Sequence, residues 1–181
     1  MALITTYADF VGSINLPNSS PSIPEGEALA LAIAKYEQEY LSKMFGYALA
    51  KDIQDALNPP AATSGVIYDL INGKEFTDKL DRPNKWVGFR VIGQNAIANY
   101  IYCKFKNTNR TITAGIGEIK PNHENMSMAI DSPKVSDAWN AMVELNYILD
   151  DFLNQNIADY PTYNTNYVDV NLFTKTNIFG I

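Results

Sequence analysis

At 181 residues the chain is long enough for one domain with a proper core, since a polypeptide of this size removes roughly 70% of its unfolded surface from water. A hydrophobic share of 46%, with 11 Tyr, 8 Phe and 2 Trp, is too apolar for a disordered chain, yet no apolar run approaches the roughly 20 residues of a membrane helix. The formal net charge of -6 and a pI near 4.7 argue against a broad electrostatic grip on nucleic acid, which draws on clustered Lys and Arg. Lys104, Lys106 and Arg110 offer at most a small basic patch. The start, MALITTYADF, lacks a basic and then apolar leader, so the expectation is a soluble protein made in a cytoplasm. Cys103 is the single cysteine, which excludes an intrachain disulfide; among Tyr100, Ile101, Tyr102 and Phe105 it reads as a buried, inert thiol.

Residues 1–24 mix apolar and polar side chains up to Leu16 and then run into PNSSPSIP, which predicts an extended N-terminal arm or short strand and a linker. Pro24, Glu25 and Glu27 open a helix, because proline tolerates the first turn and acidic groups oppose the positive end of the helix dipole. Leu29, Ile33, Tyr36, Tyr40, Leu41 and Met44 form its apolar face, with Lys35, Glu37, Glu39 and Lys43 on the other. Gly46 marks an end or a bend. The series resumes at Leu49, Ile53 and Leu57 and stops at Asn58-Pro59-Pro60. A short helix is expected from about Gly65 to Ile71, closed by Asn72-Gly73, followed by a charged, turn-like surface segment from Lys74 to Asn84.

A central helix is expected over about residues 84–106. Trp86, Phe89, Gly93, Ile97, Tyr100 and Ile101 keep a helical step, and Val87, Ile92, Ala96 and Phe105 widen the stripe to most of the circumference, the mark of a helix in the middle of a bundle. Gln94, Asn95 and Asn99 interrupt it, either hydrogen-bonded to neighbouring helices or marking a seam to another subunit. Residues 107–132 then form a hairpin-like arm or extended loop, because Thr111, Ile112 and Thr113 favour strand, Gly115 and Gly117 break the line, and Ile116 and Ile119 alternate with polar neighbours. A loop this long is the first place to look for a partner. Asp131 or Ser132 with Pro133 opens a last helix, carried by Val135, Trp139, Met142, Val143, Leu145, Ile148, Leu149, Phe152 and Leu153 to about Asn156, with Trp139 as its bulkiest core candidate. The tail that follows contains the alternating, strand-like YVDVNLF and ends on Ile178, Phe179, Gly180 and Ile181, an apolar terminus that reads as docked rather than free.

The expected architecture is therefore mainly α, a bundle of about four to five helices with a β-leaning arm and an extended C-terminal tail. Its parts are an N-terminal arm and linker (1–24), the bundle (25–156, with the arm at 107–132) and a docking tail (157–181). No catalytic constellation stands out. His123 lies in a polar loop and reads as solvated; Asp150 and Asp151 point about 100° apart on a helix and read as a solvated face. Gly115 and Gly117 lack the Lys-Ser/Thr pair of a phosphate loop, and the triplets at Asn18, Asn109 and Asn125 matter only in a secreted protein. Neither a cofactor nor a metal is expected. Tyr160, Tyr163 and Tyr167 have no basic neighbours and look like protein-contact residues.

From about residue 25 to the end, the chain resembles a known family. The likeness is carried by Tyr36-Glu37-Gln38-Glu39-Tyr40-Leu41 with Phe45-Gly46-Tyr47, and by Trp86-Val87-Gly88 leading to Asn99-Tyr100-Ile101-Tyr102. It continues through Thr111-Ile112-Thr113-Ala114-Gly115-Ile116-Gly117-Glu118, Trp139-Asn140-Ala141-Met142-Val143-Glu144 and the ending Asn177-Ile178-Phe179-Gly180-Ile181. These segments resemble small virion proteins of phages and prophages of Bacteroides-type hosts, the head-to-tail connectors also called adaptor or head-completion proteins. The resemblance implies a non-enzymatic helical subunit that forms a ring, commonly of twelve copies, under the capsid portal in the virion neck. Its partners would be its own copies, the portal and tail or neck proteins, without membrane or direct nucleic-acid binding. The contacts would fall to the arm (Thr111, Ile112, Thr113, Gly115, Ile116, Gly117 and Ile119) and the tail (Tyr167, Val168, Val170, Leu172, Phe173, Ile178, Phe179 and Ile181), by strand addition if either segment lends a β edge. Removing residues 167–181 would then leave the bundle folded. The alternative is a monomeric ligand-binding or regulatory domain with a surface tyrosine platform.

Overall fold

A computed structural model describes residues 2–16, 24–58, 63–108, 112–114, 117–119 and 132–176. The fold is mainly α, as expected. Helix α1 (Pro24–Leu57) buries Leu29, Ile33, Tyr40, Leu41 and Met44, then Leu49, Ile53 and Leu57. Between the two series Gly46 takes φ 70°, ψ 176°, a region open essentially to glycine alone, and the bend re-aims the second half so that its apolar face returns to the core. Helix α2 (Val66–Asn72) follows, close to its expected limits.

Two corrections concern residues 74–95. Lys74–Thr77 (β1) and Pro83–Trp86 (β2) pair antiparallel, with Lys74 opposite Trp86 and Thr77 opposite Pro83. Asp78 closes their turn by accepting from the Leu80 and Arg82 amides at 2.8 and 3.0 Å and from Arg82 Nε at 2.9 Å. The expected helix from residue 84 accordingly begins only at Ala96, as α3 (Ala96–Thr108). Trp86 and Phe89 are fully buried from non-helical backbone, so their three-residue spacing imitates a helix. What holds them there is tertiary: Trp86 Nε1 donates to Leu70 O at 2.7 Å and the Phe89 amide to Ile71 O at 2.8 Å, where the chain passes so close to α2 that position 88 admits no Cβ.

Helix α3 is buried along Ala96–Cys103 and packs against α1 and against α4 (Ser132–Gln155), which makes it the middle of the bundle. The hydrogen bonds of Asn95 and Asn99 stay within the start of α3 and do not reach neighbouring helices. Asn95 Oδ1 caps the helix, accepting from Ile97 and Ala98 N–H at 2.9 and 3.2 Å; Asn99 Nδ2 donates to Asn95 O at 3.0 Å; Gln94 is exposed. Around α3, the rings of Tyr40, Phe45, Trp86, Phe89 and Tyr100 meet in tilted and edge-to-face contacts with centroids 5.1–6.3 Å apart. Trp86, not Trp139, is the tryptophan of the core, since Trp139 is only half-buried. The arm forms the expected hairpin, Ile112–Ala114 (β3) with Gly117–Ile119 (β4), Ile112 opposite Ile119.

Both chain ends differ from an extended arm and tail. Residues 2–16 fold through two 3-10 turns, Tyr7–Asp9 and Gly12–Ile14, and place Ile4, Phe10, Ile14 and Leu16 in the core. Glu37, expected on the solvated face of α1, is buried and holds this segment by accepting from the Ile4 and Thr5 amides at 2.9 and 2.8 Å. The run YVDVNLF is not a strand: it starts at the last residue of the 3-10 turn Thr165–Tyr167 and ends with a second, Val170–Phe173. Asn164 and Asp169 turn the backbone by accepting from the amides of Asn166 and Asn171, and this local competition defeats the alternation.

Candidate functional site

The surface where the tail meets α1 and α4 gathers the polar and exposed apolar groups that the fold places most deliberately. On α4, core-facing positions are apolar except at Ser136 and at Asn146, which is fully buried. Its Oδ1 accepts from Tyr40 Oη, and its Nδ2 donates to Leu172 O at 2.8 Å, so one amide joins α1, α4 and the tail. Neighbouring α4 side chains continue the pattern along the tail. Tyr147 Oη donates to Phe173 O at 3.0 Å and Trp139 Nε1 to Thr174 O at 2.8 Å. Asn140 makes a reciprocal pair with Thr176, Nδ2 to its carbonyl and Oδ1 from its amide, both 2.9 Å. Each of these bonds reaches a main-chain atom, so α4 holds residues 172–176 as a strap by its backbone.

A charged clasp fixes the start of the strap. Glu39 accepts from Tyr100 Oη at 2.6 Å and pairs with Lys43 at 3.0 Å and Lys104 at 3.4 Å; Lys43 in turn faces Asp169 at 3.5 Å, while Lys43 O accepts from the Asp169 amide at 2.9 Å. Burial opposes the charge on Glu39, but the hydrogen bonds from Tyr100 and Lys43 and the nearby Lys104 outweigh it and bring its pKa down to about 2. Lys175 and Glu144 close the far end at 2.8 Å in solvent.

The tail residues singled out by sequence fall into distinct environments. Leu172 is 1% exposed and belongs to the core, Val168 and Phe173 are half-buried, and the Phe173 ring sits 5.3 Å from that of Tyr147, edge to face. Tyr167 and Val170 are held outward, 71% and 74% exposed, with Tyr167 lying over the α1 bend at Gly46 beside Tyr47, itself 82% exposed. In the arm, Ile112, Thr113, Gly117 and Ile119 lie in the paired strands, well apart in sequence from the strap. Thr111, Gly115, Ile116, Ile178, Phe179 and Ile181, together with His123, lie outside the described residues. Of the three tail tyrosines only Tyr167 is exposed: Tyr160 and Tyr163 are buried, donating to Val66 O at 3.0 Å and Asp150 Oδ1 at 2.6 Å.

The gripping residues of α4, Trp139, Asn140, Asn146 and Tyr147, carried no partner role in the sequence reading. The available signal was Asn146, an amide on the face that Met142, Val143, Leu149 and Phe152 mark as buried.

Cys103 is buried, donates weakly to Val135 O, and has its thiol pushed up to about 12 by burial, which leaves no thiolate for chemistry near neutral pH. Among the described residues no group of three His, Cys, Asp or Glu side chains could hold a metal ion. An open groove of about 620 Å³ along β1 and β2 is lined by Glu75, Phe76, Thr77, Pro83, Asn84 and Lys85, with Glu75 opposite Lys85 in the strand register. No protein-family model matches the chain, and no curated protein and no solved structure is significantly similar to it. No described helix is long and apolar enough to cross a membrane.

Proposed function

We propose that the chain is a structural subunit of a virion, a head-to-tail connector that assembles from identical copies, commonly twelve, and joins the capsid portal to tail or neck proteins. It would be made in the host cytoplasm and act in the virion neck, without catalysis, cofactor or direct contact with nucleic acid. The resemblance of its segments to connector proteins is the source of this reading. The observation that best supports it is the outward set Tyr47, Tyr167 and Val170, apolar side chains at 71–82% exposure, the last two flanking the contact of Asp169 with Lys43. Apolar groups left in water forgo the gain of burial until a partner covers them, and they suit a docking contact.

The test is co-expression of the full chain with the portal protein encoded beside it, followed by purification through the portal and imaging of the complex. The expected result is a ring of chains on the portal, lost in the Tyr167→Ser/Val170→Ser variant while thermal melting of that variant stays close to the parent. A double variant that docks normally moves the contact elsewhere on the chain; a parent chain that never joins the portal ends the connector reading.

A further inference from the structure

The strap is the part of the molecule whose mode of binding says more than its place. Asn140, Trp139, Asn146 and Tyr147 recognise carbonyls and one amide of residues 172–176, and Leu172 is the one strap side chain sunk in the core. Upstream, Tyr163 is pinned by its bond to Asp150. Between these anchors, residues 164–167 are exposed throughout, and residues 164–169 hold to the body through Lys43, the contact over Gly46 and the half-buried Val168. Drawn out, these six residues span about 20 Å. They form a hinge between two fixed points.

We propose that α4 accepts the same strap from a second copy of this chain, so that neighbouring subunits are joined by exchange of residues 170–176. The proposal rests on the reading of the chain as a self-assembling subunit and specifies what holds the copies together. The physical case is one of identity. An exchanged strap makes the same hydrogen bonds, buries the same Leu172 and forms the same Lys175–Glu144 pair, so the contacts of the grip are conserved. Drawing out the hinge gives up the contacts of residues 164–169 with Lys43, Gly46 and the core, and beyond these the entropy of association opposes exchange. High local concentration, as in a ring, removes most of that opposition. Because each main-chain bond is local to 172–176, nothing in the grip depends on which chain supplies the segment.

Lys175 Nζ and Glu144 Oε1, 2.8 Å apart, report the outcome in the unmodified protein. Full-length chains labelled with ¹⁴N and with ¹⁵N are unfolded together, refolded together, concentrated, and joined by a carbodiimide, which condenses the lysine amine with the carboxylate into an amide and takes up the water lost, leaving as a urea. Mass spectrometry of the Lys175–Glu144 peptide pair then separates mixed-isotope from same-isotope links. Exchange predicts mixed pairs approaching half of the total in the associated fraction, and covalent multiples of 20.2 kDa on a denaturing gel. Same-isotope pairs alone, at every concentration, overturn the proposal. Portal docking by chains that give only same-isotope pairs would sink exchange and leave the connector reading intact, whereas mixed pairs without portal docking would do the reverse.

Discussion

Glu37 lies in sequence between Lys35 and Glu39, among charges that mark a solvated helix face, yet its carboxylate is buried against two backbone amides. Burial raises its pKa in spite of those bonds. Glu37→Ala removes both acceptors and strands the Ile4 and Thr5 amides; at about 1–3 kcal/mol per buried unpaired group, urea denaturation should show a loss of about 2–4 kcal/mol. Gly88 is a second such residue. A Cβ there would stand 2.5 Å from Asn72 C and 2.6 Å from Gly73 N, at φ 84°. Gly88→Ala should therefore cost about 2–4 kcal/mol in the same measurement. Gly93→Ala, at φ 80° with open space around it, should cost only the conformational strain, about 1–2 kcal/mol. Glu39 supplies a pH dependence whose sign is fixed by its lowered pKa. Its contribution is present above the ordinary value of 4.5 and is lost as pH falls through about 2. Glu37 runs the other way, its contribution being complete at low pH and declining as pH rises. The informative quantity is the difference in urea midpoint between the parent and Glu39→Gln: it should be constant above pH 5 and shrink steadily between about pH 4.5 and 2.

At the scale of elements, the tail as far as Thr176 is a structural member of the bundle, which argues against the expectation that removing residues 167–181 leaves the bundle folded. Leu172 fills the core and Leu172 O satisfies the buried Nδ2 of Asn146. Leu172→Ala should destabilise the chain by about 2–5 kcal/mol, and truncation before residue 167 by more, because it also leaves the Asn146 amide unpaired; thermal melts of both variants decide this. Helices α1, α2 and α4 were legible because their apolar stripes persist over several turns and their ends carry proline, glycine or acidic signals. The stretch before α3 was not. Trp86 and Phe89 extend the apolar stripe backwards at helical spacing, and only the pairing of β2 with β1 and the contacts with α2 show that the backbone there is extended. Asn95, the residue that starts the helix, is a recognisable cap, but an apolar run on both sides of it hid the boundary.

For the whole molecule, the candidate site is a product of convergence. Exposed Tyr47 comes from the α1 bend, Tyr167 and Val170 from the tail, and the residues that hold the tail in place from α4. The sequence marked Tyr167 and Val170, but it grouped them with Leu172, which the fold turns inward. Along a turning backbone the direction of each side chain depends on the local 3-10 geometry set by Asn164 and Asp169, and period-two alternation does not apply. By itself the sequence determined the helical class, a break at Gly46 and the burial of Ala96–Cys103, and it narrowed the arm to a hairpin or an extended loop, because each follows from short-range periodicity or backbone preference. Only the tertiary structure decided that residues 2–16 and the tail as far as Thr176 pack on the core, that Glu37 faces inward, and that α4 grips the tail by its main chain. Those outcomes depend on which buried hydrogen-bonding groups meet across more than thirty residues, as Glu37 meets Ile4 and Asn140 meets Thr176, and no local pattern encodes such a meeting.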